Sequence, residues 1–192
     1  MTRWSLGLAL VVAALGCRPD PGYRDADWQD EREPQQEACD RYVGYAEDAA
    51  DATGLPVALI MGVMRVESGY REDAESHAGA VGLMQIMPGT GDHFGCDDLY
   101  DAEVNVACGA RVLADYTARV GGDVQYGLAA YNAGLANAKR WKKAGAPPAN
   151  LDYVRRVLLF TDLYEKGGCA AMGSGTRAWE SEGRTRTVVT HD

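Results

Sequence analysis

One carboxylic acid in this sequence has a setting suited to proton transfer. Ile60, Val63, Met64 and Glu67 fall at i, i+3, i+4 and i+7, the spacing of one face of an α-helix. Three of the four are apolar and the last is an acid. A carboxyl group at the end of an apolar stripe is partly stripped of water. Desolvation disfavours its ion, so the group holds its proton toward neutral pH. That is the condition for general-acid chemistry. Periodicity alone leaves a second reading open, in which Glu67 is the wet end of a core helix with its carboxylate in solvent. Glu72, Asp73 and Glu75 could offer a second carboxylate, but they stand in a polar run and read as solvated loop charges. Gly79 to Thr90 holds several small residues, which let backbone approach a ligand closely. Within it, Gln85 is an amide in an apolar run and must find a partner.

The elements that carry these residues are helical. Cys39 to Ala52 has Tyr42, Tyr45, Ala46 and Ala49 at helical spacing, and Thr53-Gly54 ends it. Pro56 suits the first position of the Glu67 helix, because its missing N–H would be unpaired there anyway. Pro88 opens a short helix toward Phe94. Asp101 to Val120 is a longer helix ended by Gly121-Gly122. Asp123 can cap a helix through Leu128-Ala129-Ala130-Tyr131, which Asn132-Ala133-Gly134 breaks. Leu135 to Lys143 is a short basic helix, and Asn150 to Lys166 is a last helix rich in core residues. Strand signals are poor, and the stretch between Glu67 and Gly82 allows a small irregular or β-like element.

Three short motifs in order carry a family resemblance: Glu67-Ser68, then Gly82-Leu83-Met84-Gln85, then Ala130-Tyr131-Asn132. With Pro88-Gly89-Thr90 and the stretch from Asn105 to Leu113, the region from Cys39 to Tyr164 resembles the soluble lytic transglycosylase (SLT) domain. The resemblance implies a mainly α, lysozyme-like single domain with a small irregular or β-like active-site loop. It implies cleavage of the β-1,4 bond between N-acetylmuramic acid and N-acetylglucosamine in peptidoglycan. One glutamate, here Glu67, would serve as acid and then base, leaving a 1,6-anhydromuramyl end. By motif position, Ser76 matches a sugar-contacting serine, although it could equally bond its own loop backbone. Met84 and Gln85 match groove-lining residues, with core packing the other reading for Met84. Tyr131 and Asn132 match an aromatic–amide pair near the glutamate, and Tyr131 could hydrogen-bond Glu67 or the sugar's acetamido group. Tyr153 resembles a groove tyrosine of the last helix, without the family's usual Glu-Thr before it. Two other functions stay open: a hydrolase of lysozyme type on the same fold, and a non-catalytic peptidoglycan-binding or assembly module.

The bulk properties do not exclude the neutral glycan substrate that the resemblance implies. A length of 192 residues suits one domain with tails, and a hydrophobic content of 46% supports a core. The net charge of −9 without a basic patch argues against a nucleic-acid partner. No cofactor or metal motif is expected. Arg3 followed by the apolar run from Leu6 to Leu15 reads as a signal peptide over 1–16, too short to span a bilayer. Ala14-Leu15-Gly16-Cys17 resembles a lipobox, which implies lipid on Cys17; an ordinary secretory signal is the alternative. Arg18 after Cys17 fits an outer-membrane lipoprotein facing the periplasm. Residues 17–37, acidic and proline-rich, read as a flexible tether. The catalytic domain is expected over 38–166 and a mobile tail over 167–192. The remaining four cysteines, an even number in an exported chain, read as two disulfides. Of the three possible pairings we expect Cys96–Cys108 and Cys39–Cys169. A zinc site at His93, Cys96 and Cys108 is the rival, without a clear fourth ligand.

Overall fold

The structure is a computed structural model, and it describes residues 35–172. Seven helices form among the described residues: α1 (Gln35–Thr53), α2 (Val57–Glu67), α3 (Pro88–Phe94), α4 (Ala102–Arg119), α5 (Val124–Ala133), α6 (Leu135–Lys143) and α7 (Leu151–Met172). The segment between α2 and α3 has no regular strand. It folds on two isolated antiparallel bridges, Glu75 with Val81 and Val81 with Ile86. The fold is thus mainly α with a small β-like loop.

α2 is the central element. Every residue from Ala58 to Met64 is buried, so this helix is covered all round in its first two turns, and α1 and α7 both pack on it. Gly62 sets the spacing to α7. A Cβ at Gly62 would lie 2.9 Å from the Val157 carbonyl oxygen and 2.7 Å from Thr161 Oγ1. The missing side chain therefore lets the two backbones touch. At about 1.5 Å per residue, Glu67 lies roughly 7.5 Å farther along α2. Tyr153 lies a similar distance from Val157 back along α7. Because α7 runs back along α2, the contact at Gly62 brings Tyr153 level with Glu67.

The other helices begin and end for local reasons. Asp101 caps α4 by accepting from the Val104 N–H at 2.9 Å. Asp123 caps α5 by accepting from the N–H groups of Gln125 and Tyr126, as its position predicts. Gly95 closes α3 with φ 66°, a conformation that glycine adopts without penalty. In α1 the buried residues are Ala38, Cys39, Tyr42, Ala46 and Ala49, one stripe facing the core.

Two boundaries differ from the sequence reading. Helix α1 already begins at Gln35, inside the stretch expected as tether. Helix α7 continues to Met172, six residues into the expected tail, across a break at Gly167 and Gly168. Burial of Cys169 and Met172 accounts for the extension, since an apolar, cross-linked segment gains by packing. Disulfides join Cys39 to Cys169 and Cys96 to Cys108. Both sulfurs of the rival zinc site are therefore consumed in a covalent bond. Residues 1–34, with the expected signal peptide, Cys17 and nearly all of the tether, lie outside the described residues, as does 173–192.

Candidate active site

Glu67 is the last residue of α2, and the turn from Ser68 to Arg71 fixes its direction. Ser68 is 4% exposed. Its hydroxyl lies 3.2 Å from the Met64 carbonyl oxygen and 2.9 Å from that of Leu83. It thereby ties the end of α2 to the Gly82–Gln85 loop. The chain then turns through left-handed Gly69 and Tyr70, with φ of 62° and 65°. That conformation is unusual for an aromatic residue. Burial of the Tyr70 ring and donation from its hydroxyl to the Met61 carbonyl at 3.1 Å hold it there. Arg71 Nε donates back to the Ser68 carbonyl.

The Gly82–Gln85 loop hangs on one buried amide. Asn105 of α4 is fully buried. Its Oδ1 accepts from the Met84 N–H at 2.8 Å, and its Nδ2 donates to the carbonyls of Val81 and Leu99 at 3.0 and 2.8 Å. The whole amide is used as a backbone clamp. Gly82 is required beside it, since a Cβ there would overlap the Asn105 amide, and its φ is 79°. Gln85 meets its expected need for partners within the loop. Its φ is 48°, and its Nε2 donates to the carbonyls of Ala74 and Gly82.

Two residues matched by motif position, Met84 and Tyr131, make contacts that the sequence left open. The Met84 side chain is fully buried and packs where a Cβ on Gly109 would stand. It is therefore packed as core, while the Met84 backbone bonds to Asn105 and Tyr131. The Tyr131 hydroxyl donates to the Met84 carbonyl at 2.8 Å instead of to Glu67. The tyrosine on Glu67 is Tyr153, whose hydroxyl donates to Glu67 Oε1 at 2.7 Å. Tyr131 braces the loop and Tyr153 holds the acid, because α7 packs against α2 directly. Ser76 Oγ accepts from the Ala80 N–H at 2.9 Å, so its side chain closes the 76–80 turn. Asn132 is exposed, and its Oδ1 accepts from Asn150 Nδ2 at 2.9 Å.

The electrostatics favour a protonated acid. Burial pushes the Glu67 carboxyl up to about 7 from the ordinary 4.5. The Tyr153 hydrogen bond and the charge of Arg156 pull it partly back. Burial and the Glu67 charge raise both Tyr131 and Tyr153 well above 10.0, so both hydroxyls stay protonated and donate. Glu72, Asp73 and Glu75 lie in the loop, away from any comparable apolar floor, and Glu72 accepts from the Tyr42 hydroxyl at 3.0 Å. Glu72, Asp73 and Glu75 are exposed, whereas Glu67 is half-buried at the end of the apolar α2.

Sequence reasoning assigned no role to Ser68, Asn105 or Asn150. Ser68 and Asn105 lie in matched stretches, and a lone amide among the apolar residues of α4 is a readable signal for a buried clamp. Arg156 carried no signal, because its effect comes through space from α7.

The chain resembles known proteins over this same region. The family model described as the transglycosylase SLT domain matches residues 44–150. The transglycosylase of Enterobacteria phage PRD1 is 36% identical over 93 residues, covering 48% of this chain and 35% of that protein. The membrane-bound lytic murein transglycosylase F of Desulfosudis oleivorans is 32% identical over 129 residues, covering 62% of this chain and 28% of that protein. The crystal structure of the 70 kDa soluble lytic transglycosylase from Escherichia coli matches with a TM-score of 0.58 at 27% identity. That match covers 68% of this chain and 25% of the other. The matches thus span about a third or less of these proteins' own lengths. The region matched by the family model holds Glu67, the loop clamped by Asn105 and the Tyr131–Asn132 pair, and covers more than half of the chain. The chain belongs to the transglycosylase SLT domain family.

Proposed function

We propose that this protein is a peptidoglycan lytic transglycosylase with Glu67 as its single acid and base. The observation that carries the reading is Glu67 itself: a carboxyl pushed up to about 7 by burial and held by Tyr153, while the loop acids Glu72, Asp73 and Glu75 are exposed. Protonated Glu67 donates to the glycosidic oxygen as the bond from that oxygen to C1 of the muramic sugar breaks. The substrate's own acetamido oxygen stabilises the positive charge at C1. Carboxylate Glu67 then takes the proton of the C6 hydroxyl as its oxygen bonds to C1. Glu67 ends in its starting form, and no water is consumed. Transglycosylase relatives and the SLT family match support this reaction over hydrolysis or pure binding.

Gln85 and Asn132 are proposed to face the glycan, with buried Tyr153 holding the acid and Ser76 and Tyr131 shaping the loop beside it. The protein is exported, on the strength of two disulfides and a membrane-bound relative. It is anchored by lipid at Cys17 to the outer membrane and faces the periplasm, a reading that rests on the lipobox resemblance. The test of the catalytic reading is Glu67→Gln. The amide is nearly isosteric but moves no proton, so release of soluble muropeptides from purified sacculi should fall by on the order of a hundredfold or more. A folded Glu67→Gln protein that cleaves at the wild-type rate contradicts it.

A further inference from the structure

Asn150 immediately precedes α7. An asparagine there ordinarily caps the helix through its Oδ1. In this chain Oδ1 is buried and makes no hydrogen bond to any described residue. The amide nitrogen instead donates twice into α5, to the Ala129 carbonyl at 3.3 Å and to Asn132 Oδ1 at 2.9 Å. A backbone carbonyl only accepts, so the Ala129 contact fixes which end of the Asn150 amide faces α5. A donor at that point in turn orients Asn132. Its Oδ1 turns to Asn150, and its Nδ2 turns away with no acceptor among the described residues. Asn132 is exposed. It follows Tyr131, which braces the loop, and Asn150 lies three residues before Tyr153, which holds Glu67.

We propose that Asn150 is a positioning residue that locks Asn132 as a hydrogen-bond donor toward the glycan. The inference rests on the proposed function. The Asn132 position then demands an acceptor from its ligand. The acetamido carbonyl oxygen of an N-acetylated sugar supplies one. The ammonium of a de-N-acetylated sugar only donates, and it meets a second donor. The Ala129–Asn150–Asn132 chain thus selects acetylated over deacetylated glycan.

The test measures binding of chitotetraose and of its fully deacetylated counterpart to Glu67→Gln protein, where no turnover interferes. Asn132→Ala and Asn150→Ala should each weaken chitotetraose binding about five- to tenfold, the range for one lost hydrogen bond. The double substitution should be no more than about twofold worse than Asn132→Ala alone, because both remove one device. Asn150→Asp is the sharper variant. It is isosteric and leaves the helix start intact, but it accepts where Asn150 donates. It should draw Asn132 Nδ2 toward itself and abolish the preference for the acetylated ligand. With Glu67 restored, Asn150→Ala should raise KM for peptidoglycan more than it lowers kcat. Additive losses in the double variant, or Asn150→Asp with wild-type preference, overturn the proposal. If wild-type protein cleaves no peptidoglycan and Glu67→Gln binds no chitotetraose, the functional reading fails first and the inference falls with it.

Discussion

The Tyr153 hydroxyl reaches Glu67 Oε1 at 2.7 Å across 86 residues of sequence. It acts on the acid in the opposite direction to burial. Burial raises the carboxyl's pKa, and a hydrogen bond to the carboxylate lowers it. Tyr153→Phe removes only the second effect. The acid should then hold its proton to higher pH. The high-pH limb of kcat/KM, which reports the free enzyme's acid, should move upward from about 7. A pH–rate profile unchanged by Tyr153→Phe would detach this tyrosine from the acid.

The same raised value ties stability to pH. An ordinary glutamate in the unfolded chain ionises near 4.5, whereas folded Glu67 holds its proton to about 7. Between those values the folded state binds the extra proton, so stability falls as pH rises. The contribution is fully present below 4.5 and lost above about 7. Glu67→Gln cannot ionise and escapes this loss. It should match wild type in denaturant unfolding at low pH and exceed it above pH 7 by about 1–3 kcal/mol, from the conversion per pKa unit reduced for partial exposure. Equal stabilities at both pH values would contradict the desolvated setting of Glu67.

Asn105→Ala tests the clamp under the active loop. The substitution strands the Met84 N–H and the Leu99 carbonyl, while the Val81 carbonyl keeps its bond from the Ile86 N–H. Leaving such groups unpaired should cost about 2–4 kcal/mol. Activity should fall beyond what the unfolded fraction explains, because Tyr131 braces the same loop through the Met84 carbonyl. Denaturant midpoints and kcat measured on the same preparations check both parts.

The two disulfides should differ in what they contribute. Cys39–Cys169 spans 130 residues and Cys96–Cys108 spans 12. In the chain-entropy account the longer loop stabilises more, about 5 kcal/mol against about 3. Paired Cys→Ser substitutions should show that order in unfolding free energy. Loss of Cys39–Cys169 should also loosen the segment of α7 beyond Gly168, seen as faster amide exchange there.

Much of this site is legible in the residues themselves. The i, i+3, i+4, i+7 stripe places Glu67 at the end of a buried face, and Ile60, Val63 and Met64 are all fully buried. Asp101 and Asp123 announce their helices because capping is local chemistry. Legibility ends where a contact depends on packing between distant elements. Motif position puts Tyr131 near the acid, but only the close approach of α2 and α7 at Gly62 decides that Tyr153 reaches it. Motif position also puts Met84 in a groove, whereas the space opened by Gly109 takes its side chain inward. Asn105 is readable as a lone amide among apolar residues, but its partners, like those of Asn150, are carbonyls of other elements that no residue type advertises.

The central claim is that one carboxyl, Glu67, gives and then takes the proton without water. Mass spectrometry of the muropeptides released from purified sacculi tests it most directly. The single-glutamate mechanism predicts reducing-end muramic sugars in the 1,6-anhydro form, lighter by one water than the hydrolysed species, from the first time point onward. Free reducing ends as the initial product would show that water attacks C1, and the single-glutamate transglycosylase reading would be wrong.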